Sequence, residues 1–170
     1  MEATQIKLTK TDDDPAWGSV RATFTVPASA VPTEGKELQA ESSYTLWREG
    51  AWQPYHAGAP LHPGDRLRRE FIVRADRDYD FVKIVDKLAA CLEPVNQLSG
   101  YQWGMECYVS PKDNTTNFYF DRLSKGKHFV EMEYYVDRKG DYQSGSCTAE
   151  CTYSPEFGGR TEAYKMTVNN

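Results

Sequence analysis

The chain has 170 residues, a net charge of −5, 39% hydrophobic residues and 26% charged residues. That balance excludes a disordered chain, and the length suffices for one large or two small domains with a real core. The acidic surplus argues against a nucleic-acid partner, and no stretch of 18 apolar residues offers a membrane-spanning helix.

Residues 5–10 open the chain with a strand-like pattern, and 1–12 are a candidate last strand of a preceding domain. The polar run 11–16 (Thr11 to Ala16) marks a soft boundary. Val20, Ala22, Phe24 and Val26 then alternate with Arg21, Thr23 and Thr25, which predicts a strand. Pro27, Pro32 and Gly35 punctuate 27–36 as a mobile connection, and a strand is expected over 37–48. In the next long strand Leu67, Arg69, Phe71, Val73 and Ala75 share one face, and Arg68, Glu70, Ile72 and Arg74 the other. Five arginines crowd this region: Arg66, Arg68, Arg69, Arg74 and Arg77. They are interleaved with Asp65, Glu70, Asp76, Asp78 and Asp80, which reads as a solvated strand face with cross-strand ion pairs.

A strand is predicted over 79–85, followed by at most one short helix near 86–97 that Pro94 ends. Further strands are expected over 101–109, 115–120, 129–136, 141–153 and 161–168, rich in Tyr, Phe, Val and Thr. Turn signals stand at Pro63-Gly64-Asp65, Ser99-Gly100, Lys125-Gly126, Lys139-Gly140-Asp141 and Gly158-Gly159. Short alternating strands with turns every 8 to 15 residues predict an all-β fold. The reading is one antiparallel β-sandwich over 1–170.

Chemistry is sparse. His56, His62 and His128 lack a nucleophile on a constrained turn, so no hydrolytic triad is expected. Asp76, Asp78 and Asp80 imitate the start of a calcium loop, but Phe81 and Lys87 stand where it needs glycine and glutamate. Glycine-rich phosphate motifs are missing, and neither a cofactor nor a resident metal is expected. Trp47, Trp52, Tyr55 and Trp103 are large rigid rings that could fill the core, stack on sugar rings or anchor a partner. Tyr153, Pro155, Glu156 and Phe157 combine two aromatics with a stiff proline beside a glycine pair. They are the first candidates for an inter-domain contact, with an end plug of the sandwich as the alternative.

Four cysteines are present: Cys91, Cys107, Cys147 and Cys151. Four residues along one strand span about 13 Å, too far for a Cys147–Cys151 bridge. Cys91–Cys151 with Cys107–Cys147 is the preferred pairing. Four reduced, buried thiols and a four-cysteine zinc site are the alternatives.

An ordered set of motifs runs through the chain. It starts at Pro63-Gly64-Asp65-Arg66-Leu67 and Asp76-Arg77-Asp78-Tyr79-Asp80-Phe81-Val82. It continues through Ala89-Ala90-Cys91-Leu92-Glu93-Pro94-Val95, Leu98-Ser99-Gly100-Tyr101-Gln102-Trp103 and Ser110-Pro111-Lys112-Asp113. Thr116-Asn117-Phe118-Tyr119-Phe120-Asp121 and Tyr153-Ser154-Pro155-Glu156-Phe157 complete it. This order resembles the final macroglobulin-type domain of bacterial alpha-2-macroglobulin-like proteins, with the flavour of the large envelope members of the Bacteroides group. The resemblance, which covers 63–168 best, implies a macroglobulin- or immunoglobulin-like sandwich that serves as a non-enzymatic structural and interaction domain of a long exported chain, periplasmic or held at the cell envelope. Its partners would be neighbouring domains of the same chain, and proteases only through the full-length protein. Cys91-Leu92-Glu93-Pro94 is not a thioester motif, so protease capture is not expected of this segment alone. An envelope location would favour oxidised cysteines. A carbohydrate-binding or adhesive sandwich using Trp47, Trp52, Tyr55 and Trp103 is the competing reading.

Overall fold

Alternation decides the architecture: along residues 66–75 every second side chain, from Leu67 to Ala75, is buried while its neighbours stay half-buried or exposed. In the computed structural model, which describes residues 7–170, this pattern recurs in strand after strand. In chain order these are β1 (Glu34–Gly35), β2 (Leu38–Arg48), β3 (Ala51–Tyr55), β4 (Pro60–Leu61) and β5 (Arg66–Ala75). Then come β6 (Tyr79–Lys87), β7 (Leu92–Pro94), β8 (Gly100–Gln102), β9 (Cys107–Pro111) and β10 (Thr115–Leu123). The last are β11 (Gly126–Val136), β12 (Gly140–Gln143), β13 (Thr148–Cys151), β14 (Ser154–Arg160) and β15 (Lys165–Val168).

Two sheets form the sandwich. One has seven strands in the order β1-β14-β13-β6-β10-β9-β8, the other five in the order β3-β2-β5-β11-β7. A small third sheet, β12-β15-β4, includes the parallel pair β4–β15. The core divides into two clusters. The first contains Leu38, Phe71, Val73, Val82, Ile84, Phe118, Phe120 and Val130; the second contains Tyr44, Leu61, Leu67, Leu92, Tyr134 and Met166. Met132 packs against both.

The structure corrects several local expectations. No helix forms over 86–97: β6 runs to Lys87, a turn follows, and β7 begins at Leu92. The helical turn among the described residues is the 3-10 turn Ala28–Ala30. Val20 to Val26 is not a strand of this sandwich but an exposed segment without regular secondary structure. The strand expected at 5–10 lies partly outside the described residues, and Lys7 to Lys10 adopts none. The 141–153 strand is split, because Gln143 leaves one sheet and Thr148 enters another.

Gly158 and Gly159 do not turn; they lie within β14. Their glycine identity reflects close approach. A Cβ on Gly159 would stand 2.2 Å from the Leu38 carbonyl oxygen, and one on Gly35 2.3 Å from the same atom. Only bare backbone lets the β1–β14 edge lie against the start of β2.

Candidate interaction surface

On the seven-stranded sheet, Cys107, Val109, Phe118 and Phe120 point inward. The residues between them must therefore face outward. Register places Tyr101 opposite Tyr108, Tyr108 opposite Tyr119, Tyr119 opposite Lys83, and Lys83 opposite Glu150. Three tyrosines thus stand side by side on adjacent strands, each 41–46% exposed, and the row continues into a Lys83–Glu150 ion pair at 3.0 Å. Trp103 follows in the turn after β8, 85% exposed, with its ring edge against Tyr101 at 4.8 Å. Leu98 is exposed beside them. Behind the turn, a cleft of about 660 Å³ is lined by Val95, Leu98, Met105, Phe129 and Met132. Exposed aromatic area of this extent is the usual mark of a contact surface. Sequence reasoning singled out Trp103 but missed Tyr108 and Tyr119. The signal was there, since each alternates with a core residue.

Tyr153 is exposed and packs edge-on against Phe81 at 5.3 Å, at one end of the same sheet. Phe81 holds a φ of +54°, strained for a non-glycine residue, where the β6–β10 pairing skips a residue. Pro155 and Glu156 are exposed on β14. Phe157 turns the other way: it packs on the core beside Tyr79, and Arg77 lies over both rings. The four candidates of this segment therefore split between a surface element and an end plug.

The outer face of the five-stranded sheet is built differently. Trp47 and Trp52 are register partners and meet edge-on at 5.1 Å. Arg68 lies 4.2 Å over the Trp52 ring, and Arg66 and Arg68 both donate to the Glu133 carboxylate. Arg48 grips Asp65 through two hydrogen bonds at 2.5 and 2.6 Å. These contacts bear out the expected cross-strand ion pairs. They also occupy Trp52 with arginines from its own sheet. Tyr55 is buried, and Trp103 belongs to the other sheet, so the four rings proposed for sugar stacking share no face.

Arg69 is the exception among the arginines. It is fully buried between the sheets, its Nε 3.2 Å from the Asp86 carboxylate, which is fully buried too. Its guanidinium lies 4.4 Å from the Tyr44 ring centroid and 5.0 Å from that of Phe71. The Tyr134 hydroxyl donates to Asp86 at 3.3 Å and lies 2.9 Å from the Thr116 hydroxyl. Burial pushes the Asp86 carboxyl up, against the opposing pull of the Arg69 charge and the Tyr134 hydrogen bond. The pair ties β5 of one sheet to β6 of the other. Its placement in the core marks it as structural.

The cysteine pairing is corrected. Cys91, Cys107, Cys147 and Cys151 are all buried free thiols, and neither Cys91–Cys151 nor Cys107–Cys147 is formed. Cys107 is on β9, with β10 and β6 standing between it and the β13 segment of Cys147 and Cys151. Three strand spacings amount to about 14 Å, beyond any disulfide. Cys91 belongs to the other core cluster from Cys151. Burial raises the thiol pKa of Cys91 to about 11 and of Cys107 to about 12, and pushes Cys147 and Cys151 up as well. Alkylation at pH 8 is therefore expected to be slow on the folded chain and to reach four thiols after unfolding; two or fewer would restore a bridge.

His128 Nε2 lies 2.7 Å from the Ser124 carbonyl oxygen, and the Ser99 and Ser110 hydroxyls lie 3.2 Å from each other. No cluster of three or more metal-ligating residues occurs among the described residues. The molecule at hand is thus a β-sandwich domain with a row of exposed aromatic side chains on the outer face of one sheet.

The comparisons agree with that description. The family model for the bacterial alpha-2-macroglobulin MG10 domain matches residues 34–156, and the chain belongs to this family. No curated protein sequence matches it. Among solved structures it is similar to Salmonella alpha-2-macroglobulin (mutant Y1175G), with a TM-score of 0.69 and 20% identity over 83% of this chain. Escherichia coli alpha-2-macroglobulin activated by porcine elastase gives 0.72 and 18% over 85%. A native Escherichia coli form spanning MG7 to the C-terminus gives 0.69 and 18% over 85%. The chain spans 10%, 14% and 25% of those three chains, respectively.

Proposed function

We propose that this domain is the non-enzymatic docking domain of a large exported alpha-2-macroglobulin-like protein that traps proteases at the cell envelope. Its partners are neighbouring domains of the same long chain, and proteases are met only through the full-length protein. The ordered motifs from Pro63 to Phe157 support a Bacteroides-group envelope type.

One observation carries the docking role: Tyr101, Tyr108 and Tyr119 form a continuous aromatic row beside Trp103, with no ion-pair cover. Rigid aromatic area of this kind gains affinity at small entropic cost when a partner covers it. Hydroxyl-radical footprinting tests the reading. Tyr101, Tyr108, Tyr119 and Trp103 should be modified freely in the 170-residue chain and several-fold less in the full-length protein. Equal modification in both would overturn it.

A further inference from the structure

The end strands of the two main sheets are guarded. β3 carries Pro54, β7 ends in Pro94, and β1 and β8 are two and three residues long. Prolines and short lengths keep a sheet edge from pairing with another chain. The first half of β11 is also an edge, and it has neither protection. β5 lies along one side of it from Gly126 to Tyr135, whereas β7 on the other side reaches only Tyr134 to Val136. The Glu131 N–H donates to the Met105 Sδ at 3.3 Å, and the Glu133 carbonyl accepts from the Val95 N–H. The odd-numbered residues therefore aim their backbone groups at the free side. A thioether is a weak acceptor. Among the described residues no strand pairs with Lys127 and Phe129 there.

The side chains along this edge have a particular order. Lys127, Phe129 and Glu131 are all exposed and alternate with the buried Val130 and the half-buried His128 and Met132. They read basic, aromatic, acidic, and reversing the order exchanges the two charges about the ring. Phe129 is 60% exposed, and the Lys127 Nζ lies 4.6 Å from its ring centroid. The Glu131 carboxylate is half exposed and stands 3.7 Å from Arg68, which sits closer to Glu133 at 2.9 Å. Lys127 and Glu131 thus keep charge to offer outside their own sheet. A strand of this order meets its complement when an identical strand runs antiparallel beside it, centred on Phe129.

We propose that two copies of this chain pair antiparallel along Lys127–Glu131 of β11, about a two-fold axis at Phe129. Lys127 of each copy stands opposite Glu131 of the other, and the two Phe129 rings meet on the axis. On the inner side His128 stands opposite Val130 of the second copy. The Glu131 N–H leaves Met105 for the Lys127 carbonyl of the second copy, and the two Phe129 residues exchange both backbone bonds. The five-stranded sheets then continue into one another, as in β-strand addition. The cleft lined by Met105, Phe129, Val130 and Met132 opens along this edge, so the second copy covers apolar surface as well. The occupant follows from charge complementarity, because the edge matches its own reverse. Such a contact is the same patch on both sides, so it closes at a dimer.

This inference does not rest on the docking role, since the tyrosine row lies on the other sheet. Sedimentation of the 170-residue chain over rising concentration should show a monomer–dimer equilibrium. Lys127→Glu sets like charges opposite each other at both symmetry-related pairs and should weaken the dimer at least ~10-fold; Glu131→Lys should do the same. Mixed in equal amounts, the two variants should associate with one another as tightly as the parent does, because each supplies the sign that the other lacks. The double variant, Lys127→Glu with Glu131→Lys, should associate with itself again. Thermal melts of each variant at low concentration check that the fold is intact. A monomer at every concentration would overturn the proposal. So would a dimer indifferent to the single reversals, or two folded variants that ignore each other on mixing. Hydroxyl-radical modification of Tyr101, Tyr108 and Tyr119 should be the same in all of them, which keeps this test apart from that of the docking role.

Discussion

Arg68 and Arg69 are adjacent on one strand and live in opposite regions of the molecule. Arg68 lies on the outer face over Trp52 and shares Glu133 with Arg66, in reach of water. Arg69 points inward, shut between the sheets with Asp86, Tyr44 and Phe71. The charges are the same but the consequences differ. An exposed pair gains modest Coulomb energy that water screens. A buried pair must offset the loss of hydration of both groups, so removing one partner leaves an uncompensated charge in the core.

The sharpest way to break the comparison is inside. Arg69→Met should destabilise the domain by about 3–5 kcal/mol, because Asp86 would remain buried alone. Arg69→Met with Asp86→Leu should recover most of that loss. Urea melts of the two variants decide it, and a double variant as unstable as the single would show that the pair is more than a matched burial.

Next in size is Gly159→Ala, expected to cost about 1–3 kcal/mol, since the added methyl meets the Leu38 carbonyl and the β14 edge must shift. The same change at the open Gly104 has no such neighbour and serves as the control.

On the outer face the effects shrink. Burial alone would raise the Glu133 carboxyl, but the hydrogen bonds from Arg68 and Arg66 outweigh it and hold the group below its ordinary value. A carboxyl lowered in the folded state contributes stability above its unfolded pKa, and that contribution fades as pH falls through the lowered value. Glu133→Gln should therefore cost under about 1 kcal/mol at neutral pH. Its deficit relative to the parent should vanish in acid, as thermal melts across pH would show. Smallest of all, Tyr108→Ser should change stability by no more than about 0.5 kcal/mol, because its outer-face ring supports no core contact. A larger loss would mean that the tyrosine row holds the sheet together instead of waiting for a partner.

Legibility followed the same divide. The period-two pattern located β2, β5, β6, β10 and β11, where one face is plainly apolar. It failed where strands are too short to show a period: β3, β4 and β7 have five, two and three residues. It also failed at β14, whose glycine pair has the local chemistry of a turn and is a strand only because Leu38 leaves no room for side chains. Of the exposed aromatic residues, Trp103 and Tyr153 were singled out in the sequence. Tyr108 and Tyr119 were not, since only register brings them next to Tyr101.

By itself the sequence determined the all-β class, the antiparallel sandwich, the surface ion pairs and the likeness to the macroglobulin family. Those follow from side-chain alternation and from ordered local motifs, which are properties of neighbouring residues. Tertiary structure alone decided that Arg69 is buried, that Cys107 and Cys147 lie on strands too far apart to bridge, and that Val20 to Val26 has no place in this sandwich. Each of these depends on which strands lie side by side, and that is set by closing two sheets over a shared core, which no local pattern encodes.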